Sequence, residues 1–430
     1  MIVNEPSPGE ALEILRGLRP KWEEHHGVRI ADGALAAAVN LSLRFDRDHQ
    51  LPDKAIDLVD KAGARMRVPM LSMMAGPAPG GETFLDEPGL SPGGAEVTEM
   101  TIAQVLAEKL GLPLEIVADR LAGSEQPRLL ELEPFLRKRI IGQDRAVERV
   151  CQRLLMAHAG LAKRRGPLAV FLFLGPTGVG KTEMAKALAE FLFGGEGEMI
   201  RLDMSEYMEE HSTAKLIGTP PGYIGHEEEG QLTGRLRTRP YSVVLLDEVE
   251  KAHPRVFDLF LQVFDDGRLT DAKGRTADAR NAIFILTSNI MPADRHIGFG
   301  REEAAEARDA VLDEVRRRFR PELINRLDEQ IVFRSLDKGD VAEILRPMLR
   351  EIADRLKEEH QVTLTFSDEA THFLAQAGYS PQYGARELRR AVEKHVQMPL
   401  SRMILSGELR KNSQWRVSVE DEALAFLSIA

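Results

Sequence analysis

Leu168-Ala169-Val170-Phe171-Leu172-Phe173-Leu174 runs directly into Gly175-Pro176-Thr177-Gly178-Val179-Gly180-Lys181-Thr182, and a helical pattern, Glu183–Phe191, follows. Seven apolar residues ended by a glycine turn read as a strand buried on both faces. The turn matches G-x-x-x-x-G-K-[ST], and it sits where that motif works, between a strand and a helix. Its glycines let the loop curl so that backbone N–H groups face phosphate oxygens, and the helix N-terminus adds partial positive charge. Lys181 can reach the outer phosphates and Thr182 can ligate Mg²⁺. A chance glycine-rich turn is the rival explanation, and the flanking strand and helix argue against it.

Outward from this stretch, short β-rich runs alternate with helical ones: Met199–Leu202, Ser242–Leu246, Ala282–Leu286 and Gln330–Phe333. With Leu168–Leu174 they predict a five-stranded parallel sheet covered on both faces, an α/β fold. Ligands bind such sheets at the C-terminal edge. The run Val243-Val244-Leu245-Leu246 ends there in Asp247-Glu248. Asp247 suits the water shell of Mg²⁺, and Glu248 can polarise an attacking water. Asn289 closes Thr287-Ser288-Asn289 at the same edge, where its amide can hold that water. Apart from the phosphate loop, Asp-Glu reads as a solvated loop start and Ser-Asn as a cap. Arg326 precedes the last strand, and Arg386 opens a helix with Leu388, Val392 and Leu400 on one side. An ordinary surface ion pair accounts for either arginine on the residues alone.

The 430 residues are 43% hydrophobic and 29% charged, as in a globular protein. No apolar run is long enough to cross a bilayer, so no membrane partner is expected. The net charge of −11 disfavours nucleic acid as a partner. A single cysteine, Cys151, allows no internal disulfide and fits a reducing cytoplasm. Residues 1–70 read as a helical domain. Residues 71–133 read as a Gly/Pro-rich linker with connecting helices, residues 134–335 as the nucleotide-binding domain, and residues 336–430 as a small α+β domain. Strands are expected in the last at Val362, Leu364 and Phe366, and at Trp415, Val417 and Val419.

From about Pro134 to Ala430 the sequence resembles the second ATPase module of the Clp family of AAA+ ATPases, ring-forming protein unfoldases that include ClpA, ClpB and ClpC. The likeness is carried by Ile140-Ile141-Gly142-Gln143, the phosphate loop and Gly222-Tyr223-Ile224-Gly225. It continues through Val244 to His253, Asp265 to Asp271, Thr287-Ser288-Asn289, Asn325-Arg326 and Gly384-Ala385-Arg386. It implies an AAA+ αβα sandwich that binds ATP and Mg²⁺, with Ile140 and Ile141 lining the adenine pocket. Asn289 would be sensor 1 and Arg386 sensor 2, and Arg326 would be an arginine finger completing a neighbour's site in a hexameric ring. Tyr223, with Ile224, would grip polypeptide in the pore, although alone it reads as a turn tyrosine. Leu269–Arg275 would be a second pore loop. Ile297-Gly298-Phe299 resembles the tripeptide by which ClpA, ClpC and ClpX dock on the ClpP peptidase, and read alone it serves equally as a buried loop anchor. Residues 5–70 resemble the small helical domain that ends the family's first ATPase module. That module's phosphate-loop domain and the coiled-coil middle domain of ClpB and ClpC do not occur in these 430 residues.

The function expected from all of this is ATP-driven unfolding of polypeptides threaded through a ring pore, with a ClpP-like peptidase as a further partner. Two alternatives stand beside it, the first from another class and the second within enzymes. One is a nucleotide-gated adaptor that turns over poorly without a first ring, and the other is an AAA+ motor acting on DNA. Phosphate release measured at several protein concentrations separates them.

Overall fold

The computed structural model describes residues 5–45, 49–74, 95–110, 114, 117–118, 129–159, 165–219, 229–291, 301–380, 384–421 and 423–429. The chain divides into two compact units, Met1–Leu130 with Leu192–Gly194, and the remainder.

In the first unit, helices Pro8–His26, Asp32–Phe45 and Asp53–Met74 pack with helix Glu99–Leu110. The first helix begins at a reciprocal cap, in which the Ser7 side chain accepts from the Glu10 N–H while the Glu10 carboxylate accepts from the Ser7 N–H. Leu15, Leu35, Leu58, Ile102 and Leu106 are fully buried. The strand β1 (Arg29–Ile30) pairs in parallel with β2 (Glu96–Val97). Residues 96–110, read from sequence as connectors, therefore supply a strand and a helix to this unit, and the third helix runs to Met74, past the expected boundary at 70.

The second unit is built on five strands: β3 (Ala169–Leu174), β4 (Met199–Asp203), β5 (Val243–Asp247), β8 (Ile283–Ser288) and β9 (Glu329–Val332). Between β5 and β8 in sequence, β6 (Arg268–Thr270) and β7 (Thr276–Asp278) form an antiparallel hairpin. The sheet order is β4-β5-β8-β3-β9, and every pairing is parallel. All six residues of β3 and of β8 are buried, as a sheet covered on both faces requires. The register sets Leu174 beside Ser288, Leu246 beside Leu286 and Asp203 beside Asp247. Parallel direction and aligned register thus bring the phosphate loop, Asp247-Glu248 and Asn289 to one edge of the sheet. The α/β architecture expected from the alternating runs is the one observed.

Beyond β9 come helices Lys338–His360, Asp368–Ala377, Ala385–Val392 and Met398–Ser406. A reciprocal cap between Asp337 and Asp340 starts the first, and Ser367 caps the second. Their apolar faces enclose Leu345, Leu374, Leu388, Val392 and Leu400. The strands β10 (Thr363–Phe366) and β11 (Gln414–Glu420) fall where the alternation placed them. The strand β12 (Ala423–Ile429) was not foreseen, because Ala423-Leu424-Ala425-Phe426-Leu427 carries no period-two contrast. Among the described residues no helix is long and apolar enough to cross a membrane.

Phe284, fully buried in β8, has its ring centroid 5.4 Å from that of Phe264 and 6.4 Å from that of Phe260. Phe284→Ala is expected to cost about 3–5 kcal/mol of stability. The shift in urea midpoint at unchanged slope measures this, and a loss under about 1 kcal/mol would show that the core closes over the gap.

Candidate functional site

The site starts at a glycine that nothing else can replace. Gly175 has φ +140°, and a Cβ there would lie 2.6 Å from the carbonyl oxygen of Phe333. The chain therefore turns sharply off β3, and the helix Lys181–Phe193 begins two residues before the helical pattern suggested. Lys181 is 7% exposed. Its Nζ donates to the carbonyl oxygens of Gly175 at 2.6 Å and Pro176 at 2.8 Å, and to Asn289 Oδ1 at 2.9 Å. Burial pushes the ammonium down to about 8, while the carboxylates of Glu250, Asp247 and Glu248 pull the other way and the Arg386 guanidinium adds to the lowering. A buried cation clasped by weak carbonyl acceptors is well matched to a polyanion, whose oxygens would hold it more strongly.

Asp247 and Glu248 end β5 beside it. Thr287 is 1% exposed and joins both. Its hydroxyl donates to Asp247 Oδ1 and accepts the Glu248 backbone N–H at 3.2 Å. The other Asp247 oxygen accepts from Arg201 on β4 at 2.7 Å. Glu248 adopts the left-handed conformation, φ 56° and ψ 49°, and its side chain pairs with Lys251. Non-glycine residues take that conformation at a cost, typically where a site requires it. Asn289 lies between the two halves: Oδ1 faces Lys181, and Nδ2 donates to Glu248 Oε1 at 3.5 Å. A hydroxyl at Thr182 and a carboxylate at Asp247 make an oxygen donor set that suits Mg²⁺ held jointly with phosphate.

Two further segments close on the loop. Ile140 is buried, and its Cγ2 lies 4.0 Å from where a Cβ on Gly180 would be. Ile141 beside it is half-buried. Gln143, 3% exposed, donates from Nε2 to the carbonyls of Val179 (3.2 Å) and Arg334 (2.9 Å), while its Oε1 accepts the Arg334 N–H. Arg334 then grips Asp340 with both terminal nitrogens, at 2.6 and 2.8 Å. One glutamine thus links the phosphate loop to the entry of the C-terminal domain. That domain also touches the loop directly, since the Ala385 N–H donates to Gly178 O at 3.0 Å. A Cβ on Gly384, φ +52°, would stand 2.6 Å from the same oxygen. Arg386 follows on the first turn of its helix, within electrostatic reach of Lys181.

The structure brings Lys181, Asp247, Glu248, Asn289, Ile140 and Arg386 around the loop Gly175–Thr182. Arg326 is joined instead to Asp265 by an ion pair, both side chains nearly half exposed. Among the described residues no hydrogen bond or ion pair links it to Lys181, Asp247, Glu248 or Asn289. Tyr223, Ile224, Ile297, Gly298 and Phe299 lie outside the described residues. The segment Leu269–Arg275 forms the tip of the β6–β7 hairpin, where Arg275 Nε donates to Asp271 at 2.7 Å. The sequence motifs contain Gln143, Glu250, Lys251 and Thr287 without giving any of them a role, and Arg201 and Arg334 lie outside the motifs. The signal available was position: Glu250 and Lys251 immediately follow the paired carboxylates, and Thr287 precedes Asn289 by two residues.

Comparison with known proteins agrees with this fold. A family described as "AAA domain (Cdc48 subfamily)" matches residues 166–330. The "C-terminal, D2-small domain, of ClpB protein" matches residues 336–417, and an "AAA lid domain" matches residues 7–75. The chain is 43% identical to the negative regulator of genetic competence ClpC/MecB of Bacillus subtilis (strain 168), a match covering 97% of this chain and 57% of that protein. It is 41% identical to the chaperone protein ClpB of Oceanobacillus iheyensis, covering 98% and 57%. It thus spans a little over half the length of these relatives. Among solved structures, a closed-state cryo-electron microscopy reconstruction of Hsp104 with ATPγS and FITC-casein superimposes with a TM-score of 0.72. That match has 36% identity and covers 99% of this chain and 69% of the other.

Gly384→Val is expected to push the C-terminal domain off the loop and to lower ATP affinity at least about tenfold, because misplacing a docked group by about 1 Å is costly. Gly407→Ala is the control: φ is +77° but open space surrounds it, so affinity should hold despite backbone strain. Equal affinities for the two variants, measured by calorimetry, would show that docking at Gly178 does not support the nucleotide site.

Proposed function

Because the chain belongs to the Clp/Hsp104 family of AAA+ ATPases, we propose that it is an ATP-hydrolysing subunit of a ring that unfolds polypeptides. The observation that carries the hydrolytic part of this reading is the relay Lys181–Asn289–Glu248, in which one amide spans the proposed phosphate-binding cation and the candidate base. ATP phosphates would draw Lys181 from the Gly175 and Pro176 carbonyls and from Asn289. That exchange frees the Asn289 amide to orient a water against Glu248. The water oxygen attacks the γ-phosphorus, the bond to the bridging oxygen breaks, and the water proton passes to Glu248 and on to phosphate, leaving ADP and inorganic phosphate. Mg²⁺, held by Thr182 and Asp247, would neutralise charge on the phosphate oxygens. Ile140 and Ile141 would pack on the adenine. Arg386 would report phosphate occupancy to the C-terminal domain.

Among the described residues Arg326 has a carboxylate, Asp265, as its side-chain partner, and that pair is nearly half exposed. As an arginine finger it would leave Asp265 for the phosphates of a neighbouring subunit, which makes a ring, hexameric by resemblance, a condition for turnover. Tyr223 and Ile224 would contact polypeptide in the pore. Ile297-Gly298-Phe299 would dock a ClpP-like peptidase. These last two assignments rest on the resemblance of the sequence, and the relatives named ClpC and ClpB support the general reading. A cytoplasmic location belongs to the same proposal, on the single cysteine of the sequence.

Glu248→Gln should keep ATP binding while turnover falls by about 10²–10³-fold, since an amide cannot take the water proton. Normal hydrolysis by that variant would remove Glu248 as the base. Turnover per chain should rise with protein concentration. Arg326→Ala and Lys181→Ala chains, each inactive alone, should regain part of the activity on mixing, because each supplies what the other lacks. Mixtures no more active than their components would argue for a site complete within one chain. Phe299→Ala should keep the ATPase rate and melting temperature yet abolish co-sedimentation with ClpP. A large fall in melting temperature would make Phe299 a core residue instead.

A further inference from the structure

The left-handed backbone at Glu248 sends the chain into the short turn Val249–Lys251, closed by the Lys251 N–H donating to Glu248 O at 3.0 Å. Val249 is fully buried, so its side chain pins the turn beneath the sheet edge. Glu250 therefore comes to the end of β8. Its Oε1 accepts the backbone N–H of Asn289 at 3.1 Å. Asn289 is thus held twice by one turn: its backbone by Glu250, and its side-chain amide by Glu248. The second oxygen of Glu250, Oε2, is buried and has no hydrogen-bond partner among the described residues. Its charge also faces Lys181, together with those of Asp247, Glu248 and Arg386.

We propose that Glu250 is a positioning residue for hydrolysis: by holding the Asn289 backbone it fixes the amide between Lys181 and Glu248, and so sets where the attacking water is held. The assignment rests on the hydrolytic reading above. It extends the site to a third carboxylate, one that acts through Asn289. The geometry distinguishes two properties of Glu250, reach and charge. Glutamine keeps the reach and an acceptor oxygen but loses the charge. Aspartate keeps the charge and falls one methylene short of the Asn289 N–H.

Turnover and ATP affinity of the full chain test this with Glu250→Asp, Glu250→Gln, Asn289→Ala and the double variant Glu250→Asp/Asn289→Ala. E250D should lower kcat by about 10²-fold, the cost of misplacing a catalytic group by about 1 Å, while the dissociation constant for ATP stays within about threefold. E250Q should recover most of the turnover lost in E250D. The double variant should fall no lower than N289A alone, because both substitutions remove the same orientation. The proposal is overturned if E250D turns over as fast as E250Q, if E250Q is as slow as E250D, or if the two losses multiply in the double variant. A wild-type chain that hydrolyses no ATP at any concentration would instead overturn the hydrolytic reading itself.

Discussion

A buried ammonium has to be surrounded by oxygen, and the second unit is arranged around meeting that demand at Lys181. Two carbonyls of its own loop and the Asn289 amide oxygen supply the contacts, and three carboxylates supply opposing charge. These oxygens come from three different strand ends. The loop leaves β3, Asp247 ends β5, and Asn289 follows β8. They converge only because neighbouring strands run parallel and in register, so that one edge of the sheet collects them. An antiparallel partner at β8 would have put Asn289 at the opposite edge.

Much of this was legible in sequence. Strand positions were readable because the sheet is covered on both faces, which makes each strand a short uninterrupted apolar run, as in Val170–Leu174 and Ile283–Leu286. The phosphate loop, Asp247, Glu248 and Asn289 could be placed because each follows such a run. What could not be read were contacts between elements far apart in the chain. Gln143 reaching Arg334 spans 191 residues, and no local pattern announces it. Thr287 and Glu250 look like ordinary polar residues until the register sets them beside Asp247 and Asn289. The parallel pairing of β1 with β2 was hidden for a related reason, since two-residue strands have no periodicity to detect. β12 was missed because both of its faces carry apolar side chains.

Arg326 shows a different kind of gap. Its partner within the chain, Asp265, gives a surface ion pair of the sort that contributes about 0–1 kcal/mol. So weak an attachment is easily exchanged, which suits the role proposed for this side chain at a neighbouring subunit. The nucleotide site and the interface that would complete it are thus described by opposite physics. The first is largely buried and densely hydrogen-bonded, and the second is solvated and loosely held.

The approach of Gly384 to Gly178 is backbone against backbone, with no side chain between to absorb movement. Such a contact behaves as a fulcrum. The helix Ala385–Val392 leaves it as a rigid arm of 8 residues, roughly 12 Å long at 1.5 Å per residue. A tilt of about 10° at the glycine would swing the far end by about 2 Å. The apolar packing of Leu388 and Val392 carries that swing into the rest of the C-terminal domain. Stiffness at two glycines, where flexibility is usually assumed, would turn the volume of one phosphate group into displacement at a distance.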